Sequence, residues 1–357
     1  MNIYINARFL TQNVTGVQRY AIEISKQLKK LYPNIKFISP KKIIHKDLMN
    51  EFCGLTCGIS TGHSWEQIVL PNYLKKINNP LLINLGNTAP LFYKKQIITI
   101  FDLSFLINPK WFSKTFYYYY RFLIPKIAKK SLKIITISEF SKKEIIRLLH
   151  IPAQKIKVIH GGVDTKFRKK ISAKELFNNR PKNYILSVLS LEPRKNINNL
   201  ILAFKKIGLR DIQLILVGSR SNVFASNELK DLIRSQKNII FSGHLPDDEL
   251  IRLYSEAKLF VYPSFYEGFG LPPLEAMACG CPVVVSNAAS LPEVCGDAAY
   301  YVDPYNIQSI AEGINTVLTD EALRQSLIER GLERARLFSW EKSAQKHVEV
   351  FEEVVRL

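Results

Sequence analysis

Pro263-Ser264-Phe265-Tyr266-Glu267-Gly268-Phe269-Gly270-Leu271-Pro272-Pro273-Leu274-Glu275-Ala276 is the stretch on which the reading of this 357-residue chain turns. It follows Leu259–Tyr262, a short apolar run that reads as a buried strand. The spacing then predicts a glycine-bearing loop and a helix that starts near Pro272, because proline suits a first helical turn whose N–H has no partner anyway. Gly268 and Gly270 allow close backbone approach. The N–H groups of Gly268, Phe269, Gly270 and Leu271, with the helix dipole behind them, make an anion site. Glu267 lies in the loop and Glu275 on the helix, one suited to sugar hydroxyls and the other to a ribose. A strand, a glycine loop and a helix with two surface glutamates would satisfy the same pattern without a ligand. A glycine pair alone is weak; the full string is more specific.

Outward from this segment the chain alternates short apolar strands with amphipathic helices, which predicts an α/β fold with parallel sheets. Strands are expected at residues 1–5, 97–101, 134–138 and 157–160, with helices over 17–31 and from about 141. A polar segment rich in lysine and asparagine, 164–182, marks a domain boundary. A second series follows, with strands at 184–189, 213–217, 239–241, 259–262 and 283–285, a helix over 198–206, and a closing helix from Trp340. The expected domains are residues 1–170, joined by a C-terminal helix at about 338–357, and residues 171–337. Ligands of open α/β sheets bind beyond the C-terminal strand ends, so the chemistry is sought in loops that follow strands.

Hydrophobic residues make up 47% and charged residues 23%, ordinary for a folded chain. No apolar run approaches the roughly 20 residues of a membrane span. The N-terminus lacks the pattern of a signal peptide. These features point to the cytosol. Five scattered cysteines without a following histidine pair read as reduced and structural, with no metal expected. Net charge is +19, and its distribution is uneven: residues 1–182 carry +23 and residues 183–357 carry −4. A lysine-rich composition can produce solvated basic faces, but the asymmetry points to an anionic surface facing the first half.

Here the motifs add up to a resemblance. Glu267 and Glu275, with seven residues between them, resemble the E-x7-E signature of family 4 retaining glycosyltransferases. Leu191-Glu192-Pro193-Arg194-Lys195-Asn196 is similar to that family's E-P-R-K-N segment. Gly243-His244-Leu245 resembles the loop beside its base pocket. Residues 278–282, 283–286 and Leu291-Pro292-Glu293-Val294 follow its order and spacing. In the first half, Thr15-Gly16-Val17-Gln18-Arg19-Tyr20 and Thr136-Ile137-Ser138-Glu139-Phe140-Ser141 also match. The resemblance implies the GT-B fold: two Rossmann-like domains facing across a cleft, with the C-terminal helix crossing back to the first domain. It implies transfer of a sugar from a nucleotide-diphosphate donor, with no cofactor or metal. Glu267 would hold the donor sugar, Arg194 and Lys195 the diphosphate, Glu275 the ribose, and Gly16 would leave room for the diphosphate. Arg194 and Lys195 also have a physical case: two fixed cations stabilise charge developing on a leaving diphosphate. Alanine at Glu267 or Lys195 is expected to lower transfer sharply without unfolding the chain.

The chain departs from the family at three places. Phe101-Asp102 stands where His-Asp is usual, so the catalytic part of Asp102 is open. Gly161-Gly162-Val163-Asp164, after His160, replaces Asn-Gly-Val-Asp, and His160 reads either as cleft-facing or as a structural loop-end residue. Leu189 occupies a position where glycine is common. The segment 111–130 interleaves Trp111, Phe112, Phe116, four tyrosines and Phe122 with Lys114, Arg121, Lys126, Lys129 and Lys130. It reads as an acceptor or membrane surface centred on Trp111, Phe112 and Arg121, with a core helix as the other reading; four consecutive tyrosines cannot all face one core. The resulting expectation is a metal-independent retaining transferase, peripheral on the inner face of the cytoplasmic membrane. Its acceptor would be a glycan or polyprenyl-linked sugar of bacterial lipopolysaccharide or capsule, with mannose favoured by family frequency. The rivals are a degenerate nucleotide-binding scaffold, prompted by Phe101, and a nucleic-acid-binding protein, prompted by the basic half. No nucleic-acid-binding module is found, and no nucleic-acid partner is expected.

Overall fold

The computed structural model describes residues 2–168, 183–189, 192–218 and 238–356. The chain divides into two compact units: residues 1–162 with 339–357, and residues 163–338. The expected division at 170/171 lies outside the described residues.

The first unit contains a seven-stranded parallel sheet. Its strands are β1 (Ile3–Asn6), β2 (Lys36–Ser39), β3 (Leu55–Thr56), β4 (Leu81–Asn84), β5 (Gln96–Thr99), β6 (Lys133–Thr136) and β7 (Ile156–Val158), in spatial order β3-β2-β1-β4-β5-β6-β7. The second unit contains β8 (Tyr184–Val188), β9 (Gln213–Val217), β10 (Ile239–Gly243), β11 (Leu259–Tyr262), β12 (Val283–Ser286) and β13 (Tyr300–Val302), all parallel, in order β10-β9-β8-β11-β12-β13. These are two Rossmann-like domains. Central strands such as Ile97-Ile98, Ile134-Ile135 and Val283-Val284-Val285 are fully buried, as expected of a parallel sheet covered on both faces. In each sheet the winding direction reverses once: between β1 and β4 in the first unit, and between β8 and β11 in the second. These switch points are where open α/β sheets leave room for ligands.

The closing helix, Trp340–Arg356, belongs to the first unit, as expected from the resemblance. It buries Trp340, Ser343, Ala344, His347, Val350, Phe351 and Val354, a helical stripe that faces the Gly16–Leu31 helix. Gly162 makes this return possible. A Cβ on Gly162 would lie 2.3 Å from the Trp340 backbone nitrogen, so any side chain there would collide with main chain. This accounts for a glycine at 162 by packing alone.

His347 is fully buried and sits 3.0 Å from the Tyr20 hydroxyl, while its Nδ1 faces the Ser343 carbonyl at 2.8 Å. Burial disfavours the imidazolium and lowers its pKa to about 4; the Ser343 contact opposes this only in part. The unfolded chain therefore binds the proton more readily than the folded one. The stability this confers is present above pH 6.5 and is lost as pH falls toward 4, at most roughly 3 kcal/mol. Thermal melts across pH 7 to 4 are expected to fall more steeply for the wild type than for a Tyr20→Phe/His347→Leu variant. Parallel acid limbs would remove His347 as the cause.

Candidate functional site

The second sheet's switch point gathers three of the predicted residues. β11 ends at Tyr262, and the loop that follows carries Glu267. β8 is followed by a single turn of 3-10 helix, Pro193–Lys195, that carries Arg194 and Lys195. Asn196, at φ 60°, ends that turn, and its amide donates to the carbonyls of Pro263 (2.9 Å) and Pro304 (2.7 Å). The backbone of Phe265 donates to the Arg194 carbonyl at 2.9 Å. The two loops are thereby fixed side by side before any charge is counted.

Glu267 then bridges both cations. Lys195 Nζ donates to its Oε1 at 2.7 Å, and Arg194 donates to its Oε2 at 3.2 Å. Lys195 also donates to the Tyr262 hydroxyl at 2.8 Å, and Arg194 Nε to Glu192 at 2.6 Å. Lys195 and Glu267 are both buried. Burial alone would raise the Glu267 pKa, but Lys195 and Arg194 outweigh it and hold the carboxyl below its usual range. Burial and the neighbouring Arg194 lower Lys195 from its ordinary value, against the pull of Glu267. The site is a preformed, hydrogen-bonded charge cluster rather than two exposed cations.

Removing one partner of a buried pair leaves an uncompensated charge, typically about 3–5 kcal/mol destabilising. The sequence-based expectation that alanine at Glu267 or Lys195 spares the fold meets this buried pairing, which predicts that both substitutions also lower stability.

Beyond Glu267 the loop is buried through Gly270, and the helix Leu271–Ala278 begins as predicted. Ser290 Oγ shares its hydrogen between the carbonyls of Glu267 (2.9 Å) and Phe269 (2.8 Å), which ties the loop down. Gly270 has φ 115°, and a Cβ there would stand 2.7 Å from Leu291 Cδ2, so both conformation and space require glycine. Glu275 is buried on the helix and accepts from the Tyr254 hydroxyl at 3.3 Å. Gly243 (φ 76°) follows a register irregularity at the end of β10, His244 is exposed, and Leu245 is half-buried. Leu189 is buried and pairs its N–H with the Val217 carbonyl.

In the first unit, Gly16 opens the Gly16–Leu31 helix behind a Thr15/Gln18 capping box, exposed, with no atom within 4 Å of a Cβ built on it. Phe101 is buried edge-on against Tyr20, with ring centroids 4.9 Å apart. The ring at the usual histidine position is thus part of the packing around the closing helix. Asp102 Oδ1 accepts from the backbone (2.9 Å) and hydroxyl (2.6 Å) of Ser104, a turn that starts the short helix Ser104–Ile107.

The aromatic segment is redrawn by the structure. Phe112, Phe116 and Tyr120 stack in a column and pack against the first unit's core, and Trp111 is half-buried. Arg121 is exposed and donates to the Tyr117 hydroxyl. The aromatic surface facing solvent is formed instead by Tyr118 (65% exposed), Phe122 (57%) and Phe92 (70%). Lys126 Nζ lies 3.4 Å from the Phe122 ring centre and Lys130 Nζ 4.9 Å from that of Phe92. Phe92 went unread because it lies in a loop with no periodicity; Tyr262 was read only as a strand end and Asn196 only as part of the E-P-R-K-N-like segment, because a single polar side chain does not reveal its distant partners.

Among the described residues no group of three or more His, Cys, Asp or Glu side chains is placed to hold a metal, and no helix is long and apolar enough to cross a membrane.

With this geometry in place, the chain is assigned to a class. The family model of glycosyl transferases group 1 matches residues 168–334, and that of glycosyltransferase family 4 matches residues 87–167. The chain belongs to this family of glycosyltransferases. It is 34% identical over 279 residues to O-antigen chain mannosyltransferase B of Escherichia coli, covering 74% of this chain and 73% of that one. It is 33% identical over 242 residues to O-antigen chain mannosyltransferase RfbU of Salmonella typhimurium, covering 67% and 65%. It spans only 30% of the length of the serotype-specific mannosyltransferase WbdA of Escherichia coli, at 34% identity. Anabaena Alr3699/HepE in complex with UDP and glucose superimposes with a TM-score of 0.80 at 19% identity, over 98% of this chain and 99% of that one. At that identity the likeness concerns the GT-B fold.

Gly16 and Gly270 place different demands on the fold. Gly270→Ala is expected to lower stability by about 1–3 kcal/mol, from strain and the Leu291 clash. Gly16→Ala is expected to melt with the wild type and yet bind nucleoside diphosphates more weakly. Unchanged calorimetric affinity in Gly16→Ala would mean that no ligand approaches that helix start.

Proposed function

We propose that this chain is a retaining, metal-independent glycosyltransferase. It would move a sugar, mannose in the first instance, from a nucleotide-diphosphate donor to a lipid-linked or membrane-proximal glycan. The product would be a bacterial surface polysaccharide, O-antigen or capsule, built at the inner face of the cytoplasmic membrane. The observation that carries the reading is the Glu267–Lys195–Arg194 cluster beside the Gly270 helix start, at the switch point of the second sheet. Relatives named as O-antigen mannosyltransferases support the choice of sugar and product, and a structural neighbour bound to UDP supports a nucleotide donor.

In this reading the helix start and the two cations take the diphosphate. As the bond to the sugar breaks, negative charge grows on the leaving phosphate, and Arg194 and Lys195 are already held in place to stabilise it. Glu267, which positions both cations, turns a carboxylate oxygen to the donor sugar, and Glu275 meets the ribose. The acceptor hydroxyl attacks from the face the diphosphate leaves, and that phosphate takes its proton. No carboxylate nucleophile pair of the hydrolase type is needed.

Glu267→Gln keeps the shape and removes the charge. It is expected to lower kcat/KM by roughly 100-fold or more, the scale of one preorganised transition-state contact, with donor-induced thermal stabilisation reduced. A screen of GDP-, UDP-, ADP- and dTDP-sugars by thermal shift identifies the donor for that assay. Wild-type turnover in Glu267→Gln would overturn the role.

The Phe92, Tyr118 and Phe122 surface with Lys126 and Lys130 suits an anionic bilayer. Phe92→Ser with Phe122→Ser is expected to reduce co-sedimentation with vesicles containing phosphatidylglycerol, and rising salt to weaken what remains. Equal pelleting of variant and wild type would exclude this surface.

A further inference from the structure

The first sheet's switch point carries its own charge cluster, for which the donor chemistry has no use. Asn6 ends β1 and Asn84 ends the adjacent β4, paired in register. Asn6 Nδ2 lies 3.0 Å from Asn84 Oδ1 and 2.9 Å from Glu66 Oε1. Arg8 Nε donates to the same Glu66 oxygen at 3.1 Å, and Arg8 also donates to Thr88 at 2.7 Å. Glu66 is 1% exposed, and its other oxygen, Oε2, makes no hydrogen bond. His63 Nδ1 faces it at 3.7 Å, too far for a hydrogen bond but within reach of charge pairing, and that nitrogen atom is buried with no hydrogen bond of its own.

Such a pair of unsatisfied buried atoms is unusual and wants an explanation. Glu66 sits in a π-helical turn, Trp65–Val69, of a kind found frequently at functional sites. Tyr119 and Tyr120 flank the cluster, with ring centres 4.7 and 5.9 Å from that of His63. Arg8 already neutralises Glu66, so the site has no surplus cation for an anion. Burial pushes the Glu66 pKa up, but Arg8 and the polar groups around it outweigh this, so the carboxylate stays charged at neutral pH. What remains is an acceptor of hydrogen bonds bordered by aromatic rings, which matches the hydroxyls and apolar ring face of a neutral sugar. The His63 side chain is 36% exposed, and its Nδ1 faces Oε2.

We propose that the β1/β4 switch point is a neutral-carbohydrate subsite, in which Glu66 Oε2 and His63 Nδ1 take hydroxyls of the acceptor sugar beside Tyr119 and Tyr120. The assignment to the acceptor rests on the transfer reading above; the sugar-binding chemistry stands on this cluster alone.

The test uses the full chain with methyl α-mannoside, methyl α-glucoside and methyl α-galactoside, titrated by saturation-transfer NMR. Wild type is expected to bind at least one glycoside. Glu66→Gln and His63→Ala are each expected to weaken it about tenfold or more, while affinity for nucleoside diphosphates is unchanged. His63→Ala removes a half-exposed ring outside the Asn6–Arg8–Glu66 network and so keeps the test open should Glu66→Gln fail to fold. No glycoside binding by wild type, or wild-type binding in His63→Ala, would overturn the proposal. Displacement of the glycoside by a nucleoside diphosphate would overturn the assignment to the acceptor. Glycoside binding without nucleoside-diphosphate binding would sink the transfer reading and leave the subsite standing.

Discussion

A single buried carboxylate, Glu267, organises the second domain. The loops after β8 and β11 diverge from neighbouring strands, and nothing in a parallel sheet obliges them to stay together. Glu267 joins them by bonding Lys195 and Arg194 from the other loop. Desolvating three charges is unfavourable, and the mutual geometry must offset it. Backbone and amide bonds from Phe265, Asn196 and Ser290 supply that geometry, so the charges meet without a search. The helix start at Gly270 is fixed by the same loop. Anything bound there meets a site whose reorganisation was completed on folding, which is what electrostatic catalysis requires.

The first domain repeats the arrangement with different residues. Glu66 and Arg8 meet where β1 and β4 part, as Glu267 and Lys195 meet where β8 and β11 part. In the second domain the carboxylate follows β11 and its cations follow the adjacent β8; in the first, Arg8 follows β1, while Glu66 lies on the helical segment between β3 and β4. The likeness arises from topology: reversal of winding opens a gap above two strands, and a gap lined by loop ends is where polar side chains can converge. The two differ in what they offer. The second has a helix N-terminus and two cations; the first has an unsatisfied carboxylate oxygen and flanking rings.

Much of this was legible in the sequence. The run Leu259–Tyr262 and the loop to Ala276 announced strand, turn and helix, because proline, glycine and β-branched residues act locally. Gly270 was readable for the same reason. The pairing of Glu267 with Lys195 was not, since 72 positions separate them and no spacing rule links two loops. β4 was passed over, although Leu81-Leu82-Ile83-Asn84 is apolar, because no glycine-loop and helix signal follows it as one follows Leu259–Tyr262. With β4 went Asn84, and with Asn84 the switch point of the first sheet. Phe101 was read as a departure from the family's usual histidine; the structure adds that its ring packs on Tyr20, which in turn packs on Trp340. The tyrosine run was correctly read as unable to share one core, but which of its rings faces water depends on a helix rotation that only neighbouring elements set.

The closing helix has a consequence for how the molecule is made. Residues 339–356 complete the core around Tyr20, yet they are synthesised after the whole of the second domain. On the ribosome the domain that emerges first is therefore finished last. Until Trp340 reaches the backbone at Gly162, the aromatic packing around Tyr20 in the nascent first domain stays incomplete.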